Sequence, residues 1–208
     1  MKEPISRERW EQAQVGEKLH HIHDPIEKSY EAFKKTYPQY FKYLGINQDL
    51  NGKSVIEIGP GRVAGLLFCQ NYAKSYVLEP TDYPEADYLY AGKNLEVVRK
   101  IAEEWEFPKV DEVWLFNLLQ HVKDPDELIM RCKNAAKVIR FFEPLDLPTN
   151  LEHPFSFSMD DFKGYFGDCI KEYPETTEAK YFHGARCAYG VWEKPRELVI
   201  QKSDPQRY

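Results

Sequence analysis

Two carboxylates, a glycine turn and two histidines are the residues whose types and spacing suit chemistry. Glu57 lies in the β-branched run Val55-Ile56-Glu57-Ile58, directly before Gly59-Pro60-Gly61. A buried parallel strand feeding a glycine turn and then a helix, expected here from Val63 on, is the ligand-binding corner of a doubly wound α/β sheet. A dinucleotide site wants G-x-G-x-x-G, with backbone N–H groups facing a pyrophosphate. In this chain the third glycine, Gly65, comes one residue late, and Glu57 sits where it would repel phosphate. The same carboxylate favours a ligand with positive charge. Glu79 closes the next strand-like run, Tyr76-Val77-Leu78-Glu79, twenty residues after Gly59. An acid at that place accepts hydrogen bonds from ribose hydroxyls. The pattern asks for a cationic nucleoside.

At these residues the chain resembles the class I S-adenosylmethionine-dependent methyltransferases. The acid-x-Gly-x-Gly turn and the acid one strand later are that family's first two motifs, and further similarity runs from Ser54 to Asp161. Asn117-Leu118-Leu119-Gln120-His121-Val122 followed by Asp124-Pro125 is similar to the family's fourth-strand segment. It is not the Asn-Pro-Pro-Tyr form associated with methylation of nucleobase amines. Ile101 stands where the family carries an acid near the adenine, which leaves that contact to the backbone of Ala102 and to Glu103. Lys133-Asn134-Ala135-Ala136 replaces the family's Lys-Pro-Gly-Gly turn.

The resemblance implies an α/β fold: a doubly wound, mostly parallel seven-stranded sheet with an antiparallel last strand. It implies S-adenosylmethionine as cofactor, held by Glu57, Gly59, Pro60, Gly61, Glu79, Pro80, Ala102, Glu103, Asn117 and Leu118. It further implies methyl transfer to a small molecule, with an oxygen nucleophile as the first expectation. The alternative is a domain that binds the cofactor without transferring. A nicotinamide oxidoreductase is disfavoured by the loop spacing and by Glu57.

Methyl transfer from a sulfonium is an in-line displacement with an activated leaving group, so a hydroxyl acceptor mainly needs orientation and loss of its proton. His121, just past the fourth strand, is the first candidate base and His153, before Pro154, the second. His183 ranks below both. Each also has a plain structural reading, as a loop-orienting or turn-holding imidazole. Glu143 ends the fifth strand as a lone carboxylate that establishes neither a metal nor an amine site.

No metal site is expected. Cys69, Cys132, Cys169 and Cys187 are far apart with no C-x-x-C pair, which suits reduced thiols in a cytoplasmic protein. His20-His21-x-His23 reads as a solvated helix end rather than a tetrahedral site. The net charge of −6 disfavours duplex nucleic acid as a partner. The polar start and the lack of a long apolar run give no leader or membrane span, so the expectation is cytoplasmic, with no membrane partner.

The elements that must position these groups are legible in outline. Residues 1–51 read as a helical N-terminal cap and 52–208 as the cofactor-binding α/β unit. Ser6 is an N-cap, with Ile5 and Trp10 spaced as a hydrophobic staple. Trp10, Ala13, Gln14 and Glu17 share one helix face. Similar W-x-x-A-Q-x-x-E helices in related methyltransferases lie over the cofactor, which is the expectation here. Asp24-Pro25 reads as a second helix start. The aromatic stripe from Tyr30 to Leu44, kinked at Pro38, packs on the sheet or lids the pocket. A short helix is expected over 85–90, a third strand near 95–100, strands over 111–117 and 137–143, and helix starts at Asp124-Pro125 and at Ser158-x-x-Asp161. Two last strands, near 169–173 and 188–193, form an antiparallel edge. The stretch 203–208 reads as a frayed tail.

Overall fold

In a computed structural model, residues 2–21, 29–173 and 186–195 are described, apart from the side chains of His20, His21 and Glu85. The His20-His21-x-His23 cluster, the Asp24-Pro25 start, His183 and the 203–208 tail lie outside that description.

Seven strands form one sheet: β1 Val55–Ile58, β2 Ser75–Leu78, β3 Leu95–Val98, β4 Val110–Phe116, β5 Ala136–Pro144, β6 Ile170–Tyr173 and β7 Cys187–Glu193. Their order is β3-β2-β1-β4-β5-β7-β6. β1 pairs in parallel with β2 and β4, β2 with β3, and β4 with β5, whereas β7 runs antiparallel to both β5 and β6. The strand order reverses between β1 and β4, so loops leaving their carboxyl ends diverge and open a crevice there.

Alternation along β4 builds the two sides of the core. Val113 and Leu115 face one side, with Ile56, Ile58, Phe141 and the helices α5 (Pro125–Ala135) and α6 (Met159–Phe166). Trp114 and Phe116 face the other, with Val55, Val77 and the helices α2 (Tyr30–Thr36) and α3 (Pro38–Leu44). Pro38 breaks the aromatic stripe into these two helices rather than bending one, because Tyr37 between them leaves the helical region at φ −124° and ψ 57°. Tyr40 stacks on Phe116 at 4.4 Å between ring centroids.

Several local expectations hold. Helix α1 (Arg7–His21) starts at Ser6, whose Oγ accepts from the Arg9 N–H. Asp124 caps α5 by accepting from the Glu127 N–H, with Pro125 in the first turn. Ser158 and Asp161 form a reciprocal capping box at α6. The residues after Tyr83 form one α-turn, α4 (Pro84–Asp87), and a 3-10 turn over Tyr88–Tyr90.

The helix expected from Val63 on is the exception. Only a 3-10 turn, Gly65–Phe68, follows the glycine loop. The chain just beyond is drawn into a bridge: Gln70 donates to the Gln48 carbonyl and accepts from the Leu50 N–H. Asn71 then turns at φ 53°. Extended pairing on that side competes with continued helix and wins. Among the described residues, no helix is long and apolar enough to cross a membrane.

At the far end of the sheet from the crevice, Glu112 ties the layers together. It accepts from Arg140 at 2.7 Å, Lys53 at 2.7 Å and the Trp114 indole at 3.0 Å, while Arg140 also donates to the Leu44 carbonyl at the end of α3. Burial works to raise the Glu112 carboxyl, but the bonds from Arg140, Lys53 and Trp114 hold it at about 2, against an ordinary value of 4.5. Because the folded value is depressed, its stabilising contribution is complete above pH 4.5 and is lost as pH falls towards 2. Glu112→Gln is therefore expected to destabilise the fold at neutral pH by about 3–5 kcal/mol, leaving Arg140 buried beside a neutral partner. It is also expected to flatten the loss of stability on acidification across that window. Denaturant midpoints between neutral and acid pH measure both effects, and an unchanged midpoint contradicts the assignment.

Candidate functional site

The loop between β1 and the 3-10 turn is shaped by glycine. Gly59 has φ 60° and Gly61 φ 71°, a region that side chains with a Cβ rarely adopt. A Cβ at Gly59 would lie 2.3 Å from Leu118 Cδ1, so a side chain there would have to displace the Leu118 methyl as well as adopt the strained positive φ. A Cβ at Gly61 would meet nothing within 4 Å. Gly61 lines open space.

That space is a cavity at the carboxyl ends of β1, β2 and β4. Its floor and walls include Glu57, Gly59–Gly61, Glu79, Pro80, Ala102, Glu103, Asn117 and Leu118. The residues singled out as cofactor-binding from the sequence therefore border one cavity. His121 joins them; His153 touches His121 from behind, with ring centroids 4.7 Å apart.

The acids of this wall are buried and bonded to backbone. Glu57 is 3% exposed, and its two oxygens accept from the N–H groups of Gly65 at 2.9 Å and Leu66 at 2.7 Å. Glu79 accepts from Gly61 at 3.0 Å and Thr81 at 2.8 Å, which fixes the glycine loop to the next strand. Glu103 accepts from the Lys123 and Asp124 N–H groups through one oxygen, so its carboxylate steadies the start of α5. Glu143 is fully buried and holds the Leu118 and Leu119 N–H groups, which makes it a loop anchor rather than a metal or amine ligand. Burial outweighs these bonds and pushes Glu57 and Glu79 up to about 7 and Glu143 up to about 8. A cation entering the cavity would favour the ionised forms of the two that line it, Glu57 and Glu79.

The roof comes from the N-terminal helices. Trp10, Gln14 and Glu17 of α1 line the cavity on one side, and Phe33, Tyr37 and Tyr40 line it on another. The α1 contribution follows from the helix face seen in the sequence. That the stripe of α2 and α3 both packs on the sheet and borders the cavity required the tertiary fold. Tyr83 and Arg62 also line it and carried no sequence signal beyond their proximity to the two acids.

Local contacts seat α1 firmly. Gln14 Nε2 donates to the His121 carbonyl at 3.3 Å, and Arg9 donates to the carbonyls of Asn150 and Leu151. Glu17 Oε1 then lies 3.3 Å from His121 Nδ1 and 3.7 Å from His153 Nε2. The two candidate bases thus meet a common carboxylate from a helix more than a hundred residues earlier, a grouping that no spacing in the chain announces.

No protein-family model and no curated protein sequence matches the chain. Solved structures do match. A 1,6-didemethyltoxoflavin-N1-methyltransferase from Burkholderia thailandensis, solved with 1,6-didemethyltoxoflavin and S-adenosylhomocysteine, superposes with a TM-score of 0.61 at 13% identity over 94% of each chain. The N-terminal domain of EvdMO1, solved in the presence of S-adenosylhomocysteine and D-fucose, gives 0.54 at 16% identity over 94% of this chain and 100% of that one. The [4+2]-cyclase SpnF gives 0.57 at 11% identity over 83% and 85% of the two chains. Sheet order, antiparallel β7 and these likenesses together give the chain the Rossmann-like fold of the class I S-adenosylmethionine-dependent methyltransferases.

Proposed function

We propose that the protein binds S-adenosylmethionine and transfers its methyl group to a small molecule, at an oxygen nucleophile. The observation that carries this reading is the pair of buried carboxylates, Glu57 and Glu79, in the wall of one cavity that the glycine loop leaves open. A nucleoside bearing an amino group and a sulfonium complements that wall, whereas the phosphates of a nicotinamide cofactor oppose it. Solved neighbours that carry S-adenosylhomocysteine support the same choice.

The residues would divide the work as follows. Glu79, held by two backbone N–H groups, keeps lone pairs for ribose hydroxyls. The backbone of Gly59–Gly61 lies along the charged end, with Glu57 supplying negative potential from beneath. Ala102 and Glu103 border the base through backbone, with Pro80, Asn117 and Leu118 closing the sides. When bound, the cofactor supplies an activated methyl group. The chain's own task is orientation and exclusion of water, worth roughly 7–11 kcal/mol. Trp10 and the Phe33, Tyr37 and Tyr40 rings perform the exclusion. His121 and His153, set against Glu17, are where an acceptor hydroxyl gives up its proton, with His121 nearer the cavity.

Four measurements test this reading. S-adenosylmethionine and S-adenosylhomocysteine are expected to raise the melting temperature, and NAD(P) to leave it unchanged; the reverse pattern rejects the cofactor. Formation of S-adenosylhomocysteine from metabolite extracts separates transfer from binding alone. Glu79→Gln is expected to weaken cofactor binding by about tenfold or more, from loss of a charge-assisted hydrogen bond worth roughly 1.5–3 kcal/mol. Gly61→Val forces a branched side chain into the open space at a positive φ and is expected to abolish binding in a calorimetric titration. Wild-type affinity in either variant removes the corresponding contact.

A further inference from the structure

Glu17, His121 and His153 each offer one ligand atom, and the three atoms lie within 4.8 Å of one another. They come from α1, from the 3-10 turn Leu119–His121 after β4, and from the loop before α6. We propose that these three residues form a binding site for one divalent transition-metal ion of the zinc type, at the edge of the cofactor cavity.

The geometry carries the inference. Two ligands bound tetrahedrally at about 2.05 Å from zinc lie about 3.3 Å apart. Glu17 Oε1 is 3.3 Å from His121 Nδ1 and 3.7 Å from His153 Nε2, so two edges of the coordination triangle need little or no contraction. The Glu152 carbonyl oxygen lies 3.2 Å from the same nitrogen, His121 Nδ1, and accepts its proton when Nδ1 is protonated, so ion binding displaces that contact. Two imidazoles and a carboxylate are a donor set that suits zinc and its neighbours. The three side chains are 12–15% exposed, enough to leave a coordination position open to water or to an acceptor. Three further contacts hold the donors in place: Gln14 on the His121 carbonyl, Arg9 on the 150–151 carbonyls, and Asn150 Oδ1 on the His153 N–H at 2.7 Å.

Binding through His121 Nδ1 places the ring proton on Nε2. Gln120 Nε2 lies 2.9 Å from that nitrogen, and Gln120 Oε1 is the one buried polar side-chain atom without a partner among the described residues. Gln120 Nε2 also donates to the Asn117 backbone carbonyl at 3.2 Å and to Asn117 Oδ1 at 2.8 Å, so presenting Oε1 to the ring proton requires the Gln120 side chain to leave both acceptors. That rearrangement would supply the outer-shell acceptor that metal-bound histidines normally have. The ion would draw an acceptor hydroxyl into the cavity and lower its pKa, so that the proton leaves to solvent or to a displaced ligand. That catalytic role rests on the methyltransferase reading; ion binding does not.

The test uses the full chain, stripped with chelator and free of cofactor. Calorimetric titration with Zn2+, and visible absorption with Co2+ as the spectroscopic probe, are expected to show one ion per chain and a rise in melting temperature. Glu17→Gln and His153→Ala are each expected to weaken binding by more than the roughly 10–100-fold that outer-shell changes cost. Replacing the histidines of the His20-His21-x-His23 run, His20→Asn with His21→Asn and His23→Asn, is expected to leave it intact. The proposal is overturned if the wild-type chain takes up no stoichiometric ion, or if only the His20–His23 replacement removes it. Cofactor binding is measured separately on the stripped protein, so failure of the ion site and failure of the cofactor reading give different results.

Discussion

Four buried carboxylates, each at the carboxyl end of a strand or in the turn after it, hold backbone N–H groups that have no other place to go. Glu57 on β1 takes Gly65 and Leu66, Glu79 after β2 takes Gly61 and Thr81, Glu103 after β3 takes Lys123 and Asp124, and Glu143 on β5 takes Leu118 and Leu119. Loops at the end of an open sheet leave donors unpaired where water is excluded, and an unpaired buried donor costs about 1–3 kcal/mol. A carboxylate that accepts two such bonds pairs both donors and offsets part of its own desolvation. Tyr90 does the same on a smaller scale, accepting from the Ala64 N–H at 3.0 Å. These brackets fix the loops after β1, β2 and β4 and the start of α5 around the cavity.

The same brackets explain the electrostatics. Burial lifts Glu57 and Glu79 to about 7, so at neutral pH their charge is only partly developed. A folded value above the ordinary 4.5 means that the native state gains protons the unfolded chain has lost, and these groups erode stability as pH rises from 4.5 through 7. A cationic ligand reverses that cost by favouring the ionised forms. Negative potential is thus held ready at a site that closes around positive charge, and preorganised potential of this kind is what a low-dielectric pocket can supply without rearranging.

Much of the frame was legible in the sequence because it is written in local signals. The β-branched runs marked strands, Asp124-Pro125 and Ser158-x-x-Asp161 marked helix starts, and the turn Gly59-Pro60-Gly61 marked the crevice. The helix expected after Val63 failed because its chain is claimed by pairing with residues 48–50, a contact between segments that periodicity does not see. The two acids were found from charge and spacing, but not that each is already bonded to backbone. Glu17 could be placed on the right helix face from Trp10, Ala13 and Gln14, whereas its meeting with His121 and His153 depends on how α1 crosses the end of the sheet. The likeness to a [4+2]-cyclase bounds what the fold alone can say: chemistry resides in the side chains around the crevice.

The account is tested most directly by titrating the carboxyl carbons of isotope-labelled glutamates by NMR, assigned through Glu57→Gln and Glu79→Gln, with and without S-adenosylmethionine. The Glu57 and Glu79 carboxyl groups are expected to titrate near neutrality in the free protein and to move down by about one unit or more when the cationic cofactor binds. Two resonances that titrate at ordinary carboxylate values, or that do not move on binding, would contradict it.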